Sequence, residues 1–537
     1  MNLASTYDEV AKVWRGSRRQ RIFKENCSTG LLAFYMMKSK PPEAVCQISD
    51  SEGLELTYGT AIKYAIRVAQ HLERLGVTQD DVVGFLAPNT SLMLPVAVAC
   101  LMHGTAFHAI NIAHEDRKCY VVKHIFGISK PKIIFCDGLL YAKAKKAVSE
   151  SDVKFFTFCN HVEGVSRVED LLEPTETEHP KPLKYGASQT AAICNSSGTT
   201  GLPKGVPISH VSLTKEVIFY DGSDVVLSFS SPDWLMGLLS IILVAVNGGR
   251  RIVTSKPFSA EYLIELITKY KITYLATNPH MLSQLVLSPN YTKETVRSIK
   301  TLLVTGGFCT EFTLKRARSK LGKTQFLVNA YGCTELGGIS ASFSDSKPKS
   351  VGTLLSDINV KVLNQQTGDP VGPHKVGVVY ARSEYKWPGY YANPESQKEA
   401  LESDGWFSTG DLGYFDDELH LHVVDRCKEI LKYNIFHYSP SEIEQTIAEL
   451  PDVQDVCVFG IWDESVGDAA AAAVVKKPGS TLSAEQIVAH VAERQEVEHK
   501  RLHAGVFFVP QIARNFNGKL MRKEMYELCV GIAEGKK

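Results

Sequence analysis

The sequence shows no excess of either charge: 59 Lys and Arg balance 59 Asp and Glu over 537 residues. No whole-protein field therefore draws it to nucleic acid or to an anionic membrane. It also lacks an apolar run of the roughly 20 residues that a bilayer span requires. Its longest such run, residues 235–246, reads as a buried helix or a pocket wall. The first residues carry neither a basic cluster nor an apolar core, so no secretory signal is expected. The last residues are not Ser-Lys-Leu, the peroxisomal address. None of the 12 cysteines forms a Cys-x-x-Cys pair, which removes the usual zinc-ligand spacing. Cys100 and Cys136 stand in apolar settings, as small core residues do in a reducing compartment. Neither an internal repeat nor a long low-complexity linker is present.

What remains is ordinary globular material, 44% hydrophobic and 22% charged. At roughly 100–200 residues per domain, the chain is too long for one core. Its first four hundred residues alternate helical patterns with short apolar runs. Ile62, Ile66, Ala69, Leu72 and Leu75 recur at helical spacing, with Gly76 as a C-cap. Tyr262, Leu266, Ile267 and Tyr270 predict another amphipathic helix. Strands are expected at 82–86, 132–136, 155–158, 252–254, 273–276 and 301–305. Such alternation predicts α/β layers with a mainly parallel sheet. Near residue 370 the texture shifts to turns and short strands, including alternation of Leu419, Leu421 and Val423 with His420 and His422. Those two histidines read as exposed strand residues rather than a metal pair. Ser439-Pro440-Ser441-Glu442 predicts a capping box, Val456–Ile461 a strand, and Ser483 to Gln486 a second capped helix. The fold class is therefore α/β with an α+β appendix, divided at residues 1–425 and 426–537.

The densest chemical signal is Cys194-Asn195-Ser196-Ser197-Gly198-Thr199-Thr200-Gly201-Leu202-Pro203-Lys204-Gly205. Glycines let backbone amides converge on an anion, the hydroxyls of Ser196, Ser197, Thr199 and Thr200 donate to phosphate oxygens, and Lys204 adds a compact positive charge. It is not the Gly-x4-Gly-Lys-Ser/Thr loop, because Pro203 and Gly205 flank the lysine.

This run resembles the signature of the adenylate-forming superfamily, and five further motifs follow in the same order. They are Gly306-Gly307, Tyr331-Gly332-Cys333-Thr334-Glu335, Ser408-Thr409-Gly410-Asp411, the hinge-like Asp425-Arg426-Cys427-Lys428-Glu429-Ile430-Leu431-Lys432, and Asn517-Gly518-Lys519 with Arg522. Length and the Asn-Ser-Ser-Gly start are closest to the insect luciferase-like and 4-coumarate-type CoA ligases. The resemblance implies a large N-terminal AMP-binding domain, a small mobile C-terminal domain, and a two-step reaction. In it ATP and an acid make an acyl-adenylate, and coenzyme A then takes the acyl group.

The same resemblance implies roles. Lys204 and the loop from Ser196 to Gly201 hold the β- and γ-phosphates, and Thr334 donates to the α-phosphate. Glu335 binds Mg²⁺. Tyr331 with Gly332 lies along the adenine, with Gly306, Gly307 and Phe308 opposite. Asp411 accepts from the ribose hydroxyls, Arg426 supports the nucleotide, and Lys519 bridges the acid carboxylate and the α-phosphate. Lys428 is the hinge, Lys432 and Ile435 lie on the CoA side, and Trp234 and Gly307 line the acid pocket. The resemblance also implies a cytosolic or peroxisomal compartment.

Three departures qualify these expectations. Ile435 stands where relatives carry a glycine along the pantetheine tunnel. Ser230–Gly237 contains no histidine where luciferases have a His-His stretch, and Lys215-Glu216 stands in place of an arginine, so light emission is not expected. Phe308-Cys309 replaces a small residue and Pro. Trp234 and the apolar run after it favour a greasy acid, either a medium- or long-chain fatty acid or an aromatic one. Two alternatives stay open: an acid adenylase with a weak or lost CoA step, and a catalytically silent nucleotide-binding regulatory protein.

Overall fold

The computed structural model describes residues 5–18, 27–110, 118–149, 152–174, 179–196, 203–215, 220–343, 350–434, 436–495, 497–515 and 518–533. Ser197, Gly198, Thr199, Thr200, Gly201, Ile435 and Asn517 lie outside them, so their expected roles stay expectations. Among the described residues no helix is long and apolar enough to cross a membrane.

Two sheets carry the α/β layers. The first has seven strands in the order Gly205–Ser209, Thr190–Asn195, Ala106–Ile110, Val82–Leu86, Ile133–Asp137, Lys154–Cys159 and Ser166–Arg167. All its neighbours are parallel except the first pair. The second has nine strands, with a parallel centre of Phe326–Cys333, Thr301–Val304, Tyr274–Thr277, Val225–Ser228, Arg250–Val253 and Val45–Ser49. Central strands buried on both faces need uninterrupted apolar side chains, and Val82–Leu86 and Thr301–Val304 are buried throughout.

The helices between them form for local reasons. Thr57 caps the Tyr58–Arg74 helix through Thr60 N–H, and Ala61, Ile62, Ala65, Val68, Ala69 and Leu72 line its buried face. Gly76 takes the left-handed conformation just after it (φ +73°). The helix Leu235–Asn247 is apolar on every side and buried from Gly237 to Val246, as an enclosed helix must be.

A third large sheet is wholly antiparallel: Thr6–Asp8, Val13–Arg15, Ile358–Leu363, Gly377–Ser383, Phe407–Phe415 and Leu421–Arg426. It starts before the texture change near residue 370 and recruits the N-terminal hairpin. The reason is Trp14, fully buried and stacked on Phe415 (4.3 Å) and Tyr7 (4.6 Å). Leu419 is not in the strand as expected. It turns left-handed (φ +64°), and pairing begins at Leu421. His422 stacks on Tyr414 and meets Asp416 at 3.0 Å, with His420 3.6 Å from the same carboxylate. No cluster of three or more metal-ligating side chains occurs among the described residues.

Beyond Arg426 comes a smaller sheet of Phe436–Tyr438, Leu431–Tyr433, Gly467–Lys476, Val453–Asp463 and Val506–Phe508. It has its own cores, one on each face, around Ile443, Val458, Ala472 and Ile487, and around Cys457, Ala471, Met525 and Cys529. The Ser483 capping box forms as expected. The Ser439 box does not: no side-chain cap bond is made there, and Ser439 Oγ donates to the buried Asp425 carboxylate instead. Glu442, the expected partner, pairs with Lys500. A carboxylate seals this helix start, which suits the positive end of the helix dipole.

Candidate active site

The parallel strands of the nine-stranded sheet end at the mouth of a cavity of 1910 Å³. A crevice outside the carboxyl ends of such strands is where α/β folds bind ligands. Ser196, Lys204, Trp234, Gly306, Gly307, Phe308, Tyr331, Gly332, Thr334, Glu335, Asp411, Arg426, Lys428 and Lys519 all border it. Residues more than three hundred positions apart are thereby brought together.

Each element supplies its share. The hairpin of Thr190–Asn195 and Gly205–Ser209 brings Ser196 and Lys204 to the cavity, and these two residues are pinned together. Ser196 N–H donates to Lys204 C=O at 2.9 Å, and Lys204 N–H donates to Ser196 Oγ at 3.3 Å. Asn195 N–H donates to Asp233 C=O (2.9 Å), tying the hairpin to the Trp234 segment. The strand Thr301–Val304 runs into Gly306, whose φ of +91° makes the turn that a side chain would resist. Gly332 is needed for another reason: a Cβ there would lie 2.3 Å from Gly337 O.

Asp411 and Arg426 are direct cross-strand partners in the antiparallel sheet. Arg426 Nε meets Asp411 Oδ1 at 2.7 Å, and Tyr331 Oη donates to Oδ2 at 2.6 Å. The backbone N–H of Asp411 is held by Thr409 Oγ1. A carboxylate has about four acceptor positions, so two remain for incoming hydroxyls.

Around Glu335 sequence reasoning missed a residue. Tyr390 Oη donates to Glu335 Oε1 (2.8 Å), and its ring lies under Lys204 Nζ at 4.7 Å. One tyrosine thus ties Lys204 to the carboxylate of the Thr334–Glu335 turn. No local pattern around Gly389-Tyr390 announces this, because the contact is made by folding alone. Glu335 keeps its second oxygen free of this bond. A lone carboxylate beside substrate phosphates is a ligand set that Mg²⁺ accepts, so the residues fit that ion.

Lys519 reaches the cavity from the small domain. It follows Gly518, which is left-handed (φ +72°) and seated so closely on Asn278 and His280 that a Cβ would stand 2.9 Å from His280 Cβ. Arg514, paired with Asp455 (2.6 Å), donates to Gly518 O at 2.8 Å. Lys519 Nζ is buried and makes no hydrogen bond among the described residues; its nearest carboxylate, Glu429, is 3.6 Å away. Burial, with Arg426 nearby, pulls its ammonium below the ordinary lysine pKa, while Glu429 and Asp411 oppose this. Glu429 is itself held by Arg522 Nε (3.1 Å), and Arg522 also grips Glu444. Neither Glu429 nor Glu444 was legible as part of the site.

An alanine at 518 is therefore expected to slow pyrophosphate release about tenfold, the equivalent of the roughly 1–2 kcal/mol that a left-handed Cβ costs. ATP binding, measured by fluorescence titration, should change little. A rate equal to that of the wild type would contradict the close seat on His280.

Of three further expected residues, Lys428 and Trp234 border the cavity and Lys432 does not. Lys428 is exposed in the turn after the Leu421–Arg426 strand. Lys432 is exposed and does not border the cavity. Trp234, half-buried, borders it with an Nε1–H that lacks a partner among the described residues. Together the cavity offers a cation and a carboxylate at the hairpin, an acceptor pair backed by Arg426, and a buried ammonium facing inward. These groups suit a polyanion bearing hydroxyls.

Comparison with known proteins agrees. Residues 36–391 match the model of AMP-binding enzymes, and residues 442–519 match the AMP-binding enzyme C-terminal domain. The 4-coumarate–CoA ligase 2 of Solanum tuberosum is 29% identical over 511 residues, covering 91% of this chain and 92% of its own. The 4-coumarate–CoA ligase 3 of Oryza sativa subsp. japonica is equally similar, at 29% over 507 residues, 91% of this chain and 90% of its own. Among solved structures, ATP-bound MatB from Rhodopseudomonas palustris superposes with a TM-score of 0.83 at 23% identity, over 95% of this chain and 100% of that one. A benzoate CoA ligase from Burkholderia xenovorans LB400 gives 0.82 at 20%, over 93% and 99%. With its motifs in order and both domain models matched, the chain belongs to the AMP-binding enzyme family, the adenylate-forming superfamily.

Proposed function

We propose that the protein is an AMP-forming carboxylic acid–CoA ligase acting through an acyl-adenylate, on a medium- or long-chain fatty acid or an aromatic acid. What supports this most is the meeting of Lys204, Glu335, the Asp411–Arg426 pair and the buried Lys519 ammonium, which lacks a hydrogen bond among the described residues, at one cavity. The curated relatives named above are 4-coumarate–CoA ligases, which favours the thioester product.

In the first step an acid oxygen attacks the α-phosphorus of ATP. A P–O bond forms to the acid, the bond to pyrophosphate breaks, and pyrophosphate leaves. Both reactants are anions, so positioning and charge neutralisation carry the catalysis. Lys204 and the hairpin tip hold the outer phosphates, Thr334 donates to the α-phosphate, and Asp411 takes the ribose hydroxyls with Arg426 behind it. Tyr331 and Gly332 flank the base, with Gly306, Gly307 and Phe308 on the other side. Lys519 bridges the acid and the α-phosphate. Glu335 would hold Mg²⁺ beside the nucleotide, and the ion would supply charge neutralisation at the phosphates. In the second step the small domain, residues 426–537, turns about Lys428. Lys519 withdraws and the segment of Lys432 and Ile435 faces the site. The thiol of CoA then attacks the acyl carbonyl, its proton passes to solvent, and AMP leaves with the C–O bond electrons.

Purified protein with ATP, Mg²⁺, CoA and a panel of acids is expected to yield pyrophosphate and acyl-CoA in equal amounts. Turnover of no acid would refute the proposal. A branched Ile435 in place of glycine favours one second reading, an adenylase with a slow CoA step. There pyrophosphate would appear without CoA consumption, and Ile435→Gly would gain thioester formation.

A further inference from the structure

The strand Thr190–Asn195 leads straight to the cavity, since Ser196 follows its last residue. On one side it pairs with Gly205–Ser209 as far as Asn195, which lies opposite Gly205. On the other it pairs with Ala106–Ile110 only at Ala192 with Phe107 and Ile193 with His108. The backbone ladder to the parallel core therefore stops two residues short of the strand's end.

Side chains take over where the ladder stops. His108 and Ile193 are parallel partners, and Asn195 lies two residues beyond Ile193, so His108 and Asn195 stand on the same face. Asn195 Nδ2 donates to Ala109 C=O at 2.9 Å. That makes Oδ1 the amide's acceptor, and His108 Nε2–H donates to it at 3.1 Å. Both residues are buried, His108 completely. The main-chain N–H of Asn195 is engaged separately, on Asp233 C=O.

His108 is costly where it stands. With the hydrogen on Nε2, its Nδ1 is a bare acceptor, buried and without a partner among the described residues. Burial draws the pKa of the ring down to about 4, so this neutral tautomer persists at neutral pH. Its neighbours along the strand, Phe107, Ala109 and Ile110, are buried and apolar, and an apolar side chain would spare the unpaired nitrogen. Among the described residues the ring's one hydrogen bond is the one to Asn195. A buried polar ring kept at such a cost is explained by what that bond holds.

We propose that His108 is a positioning residue for nucleotide binding: through Asn195 it fixes the strand end from which Ser196 and Lys204 meet the phosphates. This rests on the reading above, in which those two residues face ATP. Ser196 and Lys204 are bonded to each other, so a shift of Asn195 moves both. Without the His108 bond the Asn195 side chain is free to turn, and its ordering falls to the binding step, at the expense of affinity.

Equilibrium titration with ATP and Mg²⁺, and steady-state pyrophosphate release, test this. His108→Leu is expected to weaken ATP binding and raise the KM for ATP about tenfold, the effect of one lost hydrogen bond. The KM for the acid should stay within about twofold, because the bond from Asn195 N–H to Asp233 is main-chain and survives. His108→Gln, whose amide nitrogen can stand where Nε2 does, should restore ATP binding to within about twofold of the wild type. Asn195→Ala should match His108→Leu, and the double variant should be no worse than either, as for two members of one bond. Asn195→Ala carries the test alone if His108→Leu does not fold. Variants that melt lower yet bind ATP like the wild type would overturn the inference, since the pair would then serve stability alone. Additive losses in the double variant would overturn it too. A wild type that binds ATP but turns over no acid would refute the ligase reading, and the titrations would still decide the role of His108. A wild type that does not bind ATP would overturn both.

Discussion

Lys519→Ala is expected to slow acyl-adenylate formation by about 10²–10³-fold, the usual cost of removing one preorganised charge donor from a reacting centre, while ATP still binds. Its ammonium nitrogen is buried, its three donors lack hydrogen-bond partners among the described residues, and it borders a cavity shared with Asp411 and Arg426. Burying an ammonium is costly unless a counter-charge arrives. Here the nearest carboxylate is held back at 3.6 Å, which leaves the charge for an incoming anion. Pyrophosphate exchange into ATP reads the chemical step, and equilibrium titration with ATP reads binding. Equal exchange rates for variant and wild type would remove Lys519 from the mechanism.

The same site sets a pH dependence. Burial and Arg426 lower the pKa of Lys519, and in the proposed mechanism its protonated form is the one that stabilises the transition state. Adenylation should therefore fall on the alkaline side at a pH below the roughly 10.4 of a free lysine. Glu429 pulls the pKa back up, so Glu429→Gln should move this limb to still lower pH. An unmoved limb would show that another group controls it.

The second large effect is structural. Arg522 is the hub of the small domain. It pairs with Glu429 and Glu444, and donates to Val458 C=O (2.7 Å) and Ser441 Oγ (3.3 Å). Glu444 is only 7% exposed. Arg522→Met leaves that carboxylate buried without its cation, and breaking such a pair costs about 3–5 kcal/mol. The small domain should melt many degrees lower. Adenylation should fall as well, because Glu429 loses its anchor beside Lys519. Replacing both members, Arg522→Met with Glu444→Leu, should recover much of the stability, since an apolar pair of similar volume carries no desolvation cost. A single variant that melts like the wild type would show the network to be unimportant.

Much of the fold is legible in the sequence because local chemistry and periodicity survive folding. The helix at 58–74 and the strands at 82–86 and 301–304 follow from apolar spacing that tertiary contacts only complete. The candidate site residues that border the cavity stand out in the sequence for another reason, which rests on the proposed function. Phosphate cradling, ribose capture and charge neutralisation each demand particular side chains, and those stand in short motifs. Other features were illegible because their partners lie far away in sequence. Ser439 looked like a cap, but Asp425, fourteen residues earlier, takes its hydroxyl. Tyr390 carries no motif, and it gains meaning only when Lys204 and Glu335 converge on it. Trp14 gave no hint of joining a sheet begun more than three hundred residues later.

The order of chemical groups along the chain therefore already specified that a nucleotide phosphate, its sugar and an acid would be handled. A hydroxyl, an amide or an ammonium has the same bonding capacity wherever it lies. Folding alone decided how these groups meet: the seat of Gly518 on His280 that aims Lys519, and the Tyr390 bridge between Lys204 and Glu335. Such features depend on distances between residues separated by long stretches of chain, and those distances exist only after the sheets and helices have packed.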